Sequence, residues 1–306
     1  MDVRFFMNIK DLQYYKKLYQ EKRYTKVANF FHVSQPAITA AIQRLEKELG
    51  TQLIIRDQSH HEIRFTESGR QFERHATQML KELDIARQEI QALKMEKVSI
   101  GLPPIIGNYY FPAISSMLAK ENLLQNMNVY EDGSQSLFHK LLTGKMDMAL
   151  LGAIHPIEDE HVTSHLLARK KFKIIVSPQH SLATRKSVAF QELKDEPFIQ
   201  LSDHFIHPLA FEGLSKKTRT HPPVIYRTND IQIIKGMVVV AENVGISFFT
   251  EIAVPEYAPV IALSLADPGQ PEFLISLAYR SNHILTPLQQ KLVDVLTKQE
   301  QRINGS

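Results

Sequence analysis

Cysteine and tryptophan are both missing from these 306 residues. Without cysteine there can be no disulfide, no thiolate-held zinc or iron–sulfur centre, and no thiol that senses oxidants. Long apolar runs are missing too: no stretch approaches the ~18 residues of a membrane span. The opening MDVRFFMNIKDLQYY interleaves charges with aromatics and lacks the apolar core of a secretory signal. The expectation is a cytoplasmic protein with no membrane partner. Catalytic signatures are equally scarce. The chain has no Gly-rich phosphate cradle, nucleophile elbow, HExxH or kinase text. Its histidines stand without a Ser or Asp at a diagnostic spacing, so no catalytic residue, metal site or cofactor is assigned. A length of 306 residues calls for two or three domains.

Charge is unevenly placed. The chain's net +3 divides into +4 over residues 1–66 and −1 over the other 240. Basic excess at one end of a near-neutral chain is the footprint of a nucleic-acid-binding module. Within that end, Leu12, Tyr15, Leu18 and Tyr19 fall on one face of a helix running from Ile9 to about Lys22. A second helix, Thr25–Phe31, has Thr25 placed as its cap and buries Val27, Ala28 and Phe31. After the short His32-Val33 connection, Ser34 caps a third helix with Pro36 in its first turn. Ile38, Ile42, Leu45 and Leu49 form its apolar stripe, and Gly50 ends it. Two helices joined by so short a turn, the second strongly amphipathic, have helix-turn-helix geometry. The polar face carries Ser34, Gln35, Thr39, Gln43 and Arg44, with no acid between Ser34 and Arg44. Hydroxyls, amides and a guanidinium suit base edges and phosphates.

Leu53–Ile55 and Glu62–Phe65 then read as two short strands, a wing with Arg56 and Arg64 facing phosphate or the minor groove. The His60-His61 pair at its tip is no metal site: neighbours on a strand point to opposite faces, and no third ligand lies close. Thr66 caps a proline-free helix extending towards Val98. Along it Phe72, Ala76, Met79, Leu83, Ala86, Ile90 and Leu93 are spaced 4, 3, 4, 3, 4, 3. This heptad seam needs cover, either from a second copy of the chain or from the chain's own C-terminal part.

Strands are expected at Val98–Leu102, from Val129, and at Met148–Leu151, Lys173–Ser177, Phe198–Leu201, Val224–Arg227, Ile246–Phe249 and Phe273–Tyr279. Helices lie between several of them, which indicates parallel α/β sheets.

The run VANFFHVSQPAITAAIQRLEKELGTQLIIRD, followed by FTESG, resembles the LysR-type transcriptional regulators, and the remainder fits the same plan over nearly its full length. LLTGKMDMALLG, IIVSPQHSLA and VVVAENVGISFF also match that family's recurring text. The resemblance implies an α/β chain of three parts. Residues 1–65 would be a winged helix-turn-helix that reads double-stranded promoter DNA, and 66–95 a coiled-coil linker helix that makes a homodimer through the seam residues. Residues 96–306 would be a two-lobed effector domain with a periplasmic-binding-protein-like fold. Lobe I would hold 98–168 and 275–306, and lobe II 169–274, with chain crossings at Leu166–Val176 and Pro271–Ala278. DNA would meet Thr25, Ser34, Gln35, Pro36, Ala37, Thr39, Gln43, Arg44, Arg56 and Arg64.

In such a fold a small molecule binds between the lobes, beyond the carboxyl ends of strands. The segments placed there are Pro103–Gly107, Ser134, Ser202 with His204 and His207, Asn229-Asp230 and Asn243–Phe249. The candidate effector contacts are Pro104, Ile105, Ser134, Ser202, His204, Asn229 and Phe248. Ile105 stands where relatives that bind carboxylates often have Ser or Thr, which leaves backbone donors and Ser134 in the first lobe. The family implies a tetramer built from dimers and contact with RNA polymerase. MNIKDLQYY and RDQSHHEIRFTESGRQF resemble its malolactic-fermentation regulators, which suggests L-malate or a related carboxylate. An enzyme, or a solute-binding protein of a transporter, are the competing classes. Export to the periplasm or turnover of a ligand would single them out.

Overall fold

The computed structural model describes residues 7–56, 63–95, 97–240, 245–254 and 259–303. The chain divides into two compact units, Met1–Ile90 and Gln91–Ser306. No helix among the described residues is long and apolar enough to cross a membrane.

The first unit opens with helices α1 (Ile9–Glu21), α2 (Tyr24–Phe31) and α3 (Gln35–Leu49). Each stops at a left-handed residue, Lys22, His32 and Gly50, with φ of 53°, 53° and 64°. Such caps end a helix within one residue and allow very short connections. That is why Thr25 does not cap α2. Left-handed Lys22 and extended Arg23 complete the link, α2 begins at Tyr24, and Thr25 sits inside its first turn. Ser34 occupies the N-cap position of α3 with Pro36 just behind it, but its side chain makes no capping bond. The predicted stripes meet in one core of Leu12, Tyr15, Leu18, Val27, Ala28, Ile38, Ile42 and Leu45.

Strands β1 (Ile54–Arg56) and β2 (Ile63–Phe65) pair antiparallel with Ile54 opposite Phe65. The tip between them, with His60 and His61, lies outside the described residues. The Glu46 carboxylate accepts the N–H groups of Leu53 (2.9 Å) and Ile54 (3.2 Å), which ties α3 to the hairpin. Helix α4 (Glu67–Ala92) follows. Thr66 caps it as expected, its hydroxyl accepting the Gly69 N–H at 2.9 Å. Gly69 is a close-approach site. The buried Tyr15 hydroxyl donates to its carbonyl at 2.9 Å, and a Cβ there would fall 2.2 Å from the Leu53 carbonyl oxygen.

In chain order the second unit runs β3 (Val98–Leu102), α5 (Phe111–Lys120), β4 (Met127–Glu131), α6 (Ser134–Leu142), β5 (Met148–Ala153), β6 (Val162–Val176), β7 (Ser187–Val188), β8 (Phe198–Leu201), α7 (Ile206–Thr218), β9 (Val224–Thr228), α8 (Ile231–Val240), β10 (Ser247–Thr250), β11 (Ile261–Leu265), β12 (Glu272–Arg280) and α9 (Pro287–Ile303). A wide helical turn, Ile106–Tyr110, leads into α5 with the Phe111 N–H bonded back to the Ile106 carbonyl.

The sheets are mixed, not parallel. β3 runs parallel to β4 and β5, but β12 is antiparallel to both β5 and β6. On β6, Val162–Lys171 pairs with β12, whereas Phe172–Val176 is flanked by β10 and β11, both antiparallel. The two long strands thus pass side by side from one lobe to the other, and their opposed directions break the parallel pattern. β7 joins β11, and β8 with β9 forms a parallel pair. β7, β11 and the opening residues of β6, Val162–His165, had no expected counterpart.

Candidate nucleic-acid interface and ligand cavity

On α3, Gln35, Pro36, Thr39 and Gln43 border one open patch of surface. Spacing by four along a helix puts them on one face. The Thr39 hydroxyl donates to the Gln35 carbonyl at 3.2 Å, and Ala37 lies half-buried beside the patch. A broad groove adjoins it, bounded by Tyr19, Lys22, Arg23, Tyr24, Thr25, Gln35, Arg64 and Arg70, with Ile55, Ile63 and Phe65 as floor. Thr25, Gln35 and Arg64 were expected to act together, and they do share this groove; Arg56 ends β1 opposite Ile63. Lys22, Arg23 and Arg70 also line this groove and were not among the expected residues. The signal was present as a Lys-Arg pair in the turn after α1 and an arginine four residues after the helix cap.

Arg44, also expected at the interface, is in addition tied within the unit, with its side chain 58% exposed. Its guanidinium grips Asp11 through two bonds, Nε–Oδ2 at 2.9 Å and Nη2–Oδ1 at 2.6 Å. Asp11 is only 2% exposed, and the pair anchors α3 on α1. A bidentate pair of this kind fixes orientation as well as charge. Arg44 therefore sets the pose of α3, and its hydrogen bonds with Asp11 hold it above the usual arginine range.

The expected α4 seam is divided. Phe72 and Ala76, with Leu80, are buried in the first unit's own core, where Phe72 meets the Tyr15 ring edge-on at 5.2 Å. These two are thereby removed from any intermolecular seam, because the helix starts against its own domain. Further along, Met79 (44%), Ile90 (59%) and Leu93 (59%) stand exposed, Ala86 is exposed and Leu83 half-buried.

In the second unit a cavity of about 270 Å³ opens between the lobes. Its walls are Pro103, Pro104, Ile105, Glu131, Asp132, Gly133 and Ser134 from one lobe. His204, Phe205, Ile206, His207 and Asn229 come from the other, with Phe273 from a crossing strand. Five of the seven expected contacts lie here: Pro104, Ile105, Ser134, His204 and Asn229. Ser202 and Phe248 do not. Ser202 closes a turn through its backbone, and Phe248 is buried in the lobe core, stacked on Phe172 at 4.6 Å. Side chains alternate along a strand, so β10 turns Phe248 inward. Asn243 lies outside the described residues.

Three helical starts, at Pro104, Ser134 and Ile206, border this cavity, although Pro103 and Pro104 at the first and Pro208 in the third carry no N–H. Among the described residues no lysine or arginine borders it. Asp132 does not leave a raw negative charge there. Its carboxylate accepts from Lys140 Nζ (2.6 Å), the Ser136 hydroxyl and the Gly133 N–H (2.7 Å), which holds its pKa down at about 2. The Ser134 hydroxyl accepts the Gly152 N–H at 3.1 Å and keeps its own proton for another partner.

His207 is the chemically unusual wall residue. It is fully enclosed, and burial pushes its pKa down to about 3, so the ring is neutral. Nε2 accepts the Thr250 N–H at 3.2 Å. The proton therefore sits on Nδ1, which has no partner among the described residues. Phe172, Phe249 and Phe273 surround the ring at 5.3–5.8 Å.

Comparison with known proteins matches both units. A family model described as bacterial regulatory helix-turn-helix protein, lysR family, covers residues 9–70, and one described as LysR substrate binding domain covers residues 91–301. The chain belongs to the LysR family of transcriptional regulators. Over 291 residues it is 31% identical to the malolactic fermentation system transcriptional activator of Lactococcus lactis, spanning 95% of this chain and 98% of that one. It is 27% identical over 298 residues to the dual regulator OxyR of Escherichia coli, 95% of each chain.

Among solved structures, the LysR regulator HinK of Pseudomonas aeruginosa superposes with a TM-score of 0.57 at 20% identity, over 97% of this chain and 99% of that one. The effector binding domain of QuiR in complex with shikimate gives 0.59 at 20% identity, over 67% of this chain and 97% of that one. These distant likenesses confirm the fold: an N-terminal helix-turn-helix followed by a two-lobed α/β domain. This LysR-type protein is a DNA-binding regulator with an effector domain, and not an enzyme.

Proposed function

We propose that this LysR-type regulator reads its own promoter as a dimer, or a pair of dimers, in the cytoplasm. A small carboxylate held between its lobes sets the geometry of the bound DNA and the contact with RNA polymerase. The observation that carries the effector reading is the meeting of three helical N-termini around the cavity. Helix starts favour anions through free N–H groups and the helix dipole. With no cation on its walls, the cavity would hold a carboxylate by backbone N–H groups and the Ser134 hydroxyl. The exposed Glu131 carboxylate at its edge suits a ligand hydroxyl. A volume of about 270 Å³ falls just below the ~300–1,000 Å³ of pockets for drug-sized ligands, which points to a small metabolite. L-malate is the first candidate, because of the similarity to the malolactic activator.

On the DNA side, Gln35, Thr39 and Gln43 face the base edges, with Ser34, Pro36 and Ala37 at the entry of α3. Thr25, Lys22, Arg23, Arg56, Arg64 and Arg70 meet phosphates. The stripe Met79, Leu83, Ala86, Ile90 and Leu93, exposed but for half-buried Leu83, is the dimer seam. Oxidant sensing of the kind named for the peroxide-inducible relatives would need other chemistry than a thiol, since the chain has none.

The test is fluorescence anisotropy of the purified full-length protein on labelled DNA from upstream of its own gene, against a scrambled duplex, across a salt series. Promoter preference with a steep salt slope supports the DNA reading, and a shift in that binding on adding L-malate supports the effector. Equal weak binding to both duplexes, unchanged by carboxylates, would overturn the reading.

A further inference from the structure

Among the contacts that join the lobes, two lie beside the cavity. On one side the backbones approach closely, and a Cβ on Gly133 would lie 3.1 Å from the His204 carbonyl oxygen. On the other, the Tyr109 phenol of the wide turn before α5 is held from α8. Lys235 Nζ donates to its oxygen at 2.9 Å and lies 4.4 Å from its ring centre, and Gln232 Nε2 donates at 3.2 Å. Lys235 is 8% exposed, and among the described residues it has no carboxylate partner. A lysine so enclosed with only a phenol to meet it is a costly arrangement. It exists only while the two lobes are together, because moving them apart returns the ammonium to water.

Both ends of this contact are continuous with the cavity wall. Tyr109 follows Pro104 and Ile105 in one helical run. On the other lobe Asn229 borders the cavity, and Asp230 caps α8 by accepting the Gln232 N–H at 2.7 Å and the Ile233 N–H at 3.2 Å. Lys235 lies on α8, which opens two residues beyond Asn229, about 6 Å along the helix from Ile231. Wide turns of this kind relax at small cost and gather at functional sites.

We propose that Tyr109, Lys235 and Gln232 form an interlobe strap that sets how far the effector cavity closes. A ligand seated against Ile105 and Asn229 would shift the strap through the two helices that bear it. The coupling to a ligand rests on the effector reading above; the strap itself does not.

Amide hydrogen exchange on the full-length protein tests it, comparing wild type with Tyr109→Phe, Lys235→Met, Lys235→Arg, Gln232→Ala and the Tyr109→Phe/Lys235→Met double variant. The expected result is about tenfold faster exchange of both segments, 104–111 and 230–240, in either of the first two single variants. The double variant should add nothing more, because both changes remove one contact. Lys235→Arg should stay near wild type, and the exposed Gln232→Ala should show a smaller rise in the same two segments without endangering the fold. Loosening confined to the mutated segment, or effects that simply add, would overturn the strap. Calorimetry with L-malate as probe is read separately. If wild type binds it, Tyr109→Phe and Lys235→Met should change its affinity by the same factor, and unequal factors would count against the coupling. If wild type does not bind it, malate is wrong and the exchange result still decides the strap.

Discussion

On α3 the residues proposed to read DNA, Gln35, Thr39 and Gln43, are spaced by four on a single helix, with Gln35 and Gln43 exposed and Thr39 half-buried. The cavity of the second unit instead draws its walls from Pro103 to Phe273, across both lobes. One surface is therefore local, and the other exists only when the sheet order is complete. Their electrostatics differ as well. The groove beside α3 carries Lys22, Arg23, Arg64 and Arg70, while the cavity has backbone dipoles and a neutral imidazole in place of mobile cations. Strong long-range attraction belongs where the partner is a polyanion approached from solution. Selection of a small molecule depends on short-range donors in a dry site.

The largest effect expected from this contrast is at Gly69. A Cβ there meets a backbone oxygen, which cannot swing aside. Gly69→Ala should cost about 3 kcal/mol and abolish promoter binding while leaving the second unit's melting intact, as followed by urea unfolding and anisotropy. Next, charging the exposed stripe with Ile90→Asp and Leu93→Asp should shift the protein to monomers in sedimentation velocity, with loss of cooperative binding. Within the DNA face, Gln35→Ala or Gln43→Ala should lose roughly 1–3 kcal/mol of discrimination between promoter and scrambled DNA. Arg64→Ala or Arg70→Ala should weaken binding to both duplexes alike and lower the salt slope by about 1. If the arginine and glutamine variants behaved the same way, the division between reading and holding would fail.

A separate effect, of a size comparable with that at Gly69, singles out the cavity by pH. The folded pKa of His207, about 3, lies below its ordinary value of 6.5. Unfolded chains therefore bind a proton that the folded protein refuses, and the stability this ring contributes is present above pH 6.5 and lost as pH falls towards 3. The slope is about 1.4 kcal/mol per pH unit inside that window. His207→Phe should flatten the wild type's decline in melting temperature between pH 6.5 and 4. An unchanged decline would mean that the ring titrates normally.

The same contrast explains what could be read in advance. Helix stripes and caps are short-range signals, so Ile38, Ile42, Leu45, Gly50 and Thr66 sit where expected. Thr25 was misplaced because the left-handed cap was carried by Lys22, a residue with no marked preference for it. The α4 seam was uniform in sequence, yet Phe72 and Ala76 faced their own core, a choice that needs the position of Tyr15. In the second unit Ile105 and Asn229 could be placed from their loops. Glu131, Gly133 and Phe273 could not, since the mixed sheet order that gathers them leaves no periodic trace. Phe248 was read as wall because a strand's phase decides which of two neighbours faces inward.

Phe72, Ala76 and Leu80 have one consequence for signalling. α4 begins inside the core that also seats α1 and α3, and Glu46 fastens α3 to the hairpin. A rotation of that helix about its seated end would be shared by the core that carries Gln35, Thr39 and Gln43. Over ~39 Å of helix at 1.5 Å per residue, a turn of a few degrees becomes a displacement of one or two ångströms. That is enough to move a side chain on or off a base edge.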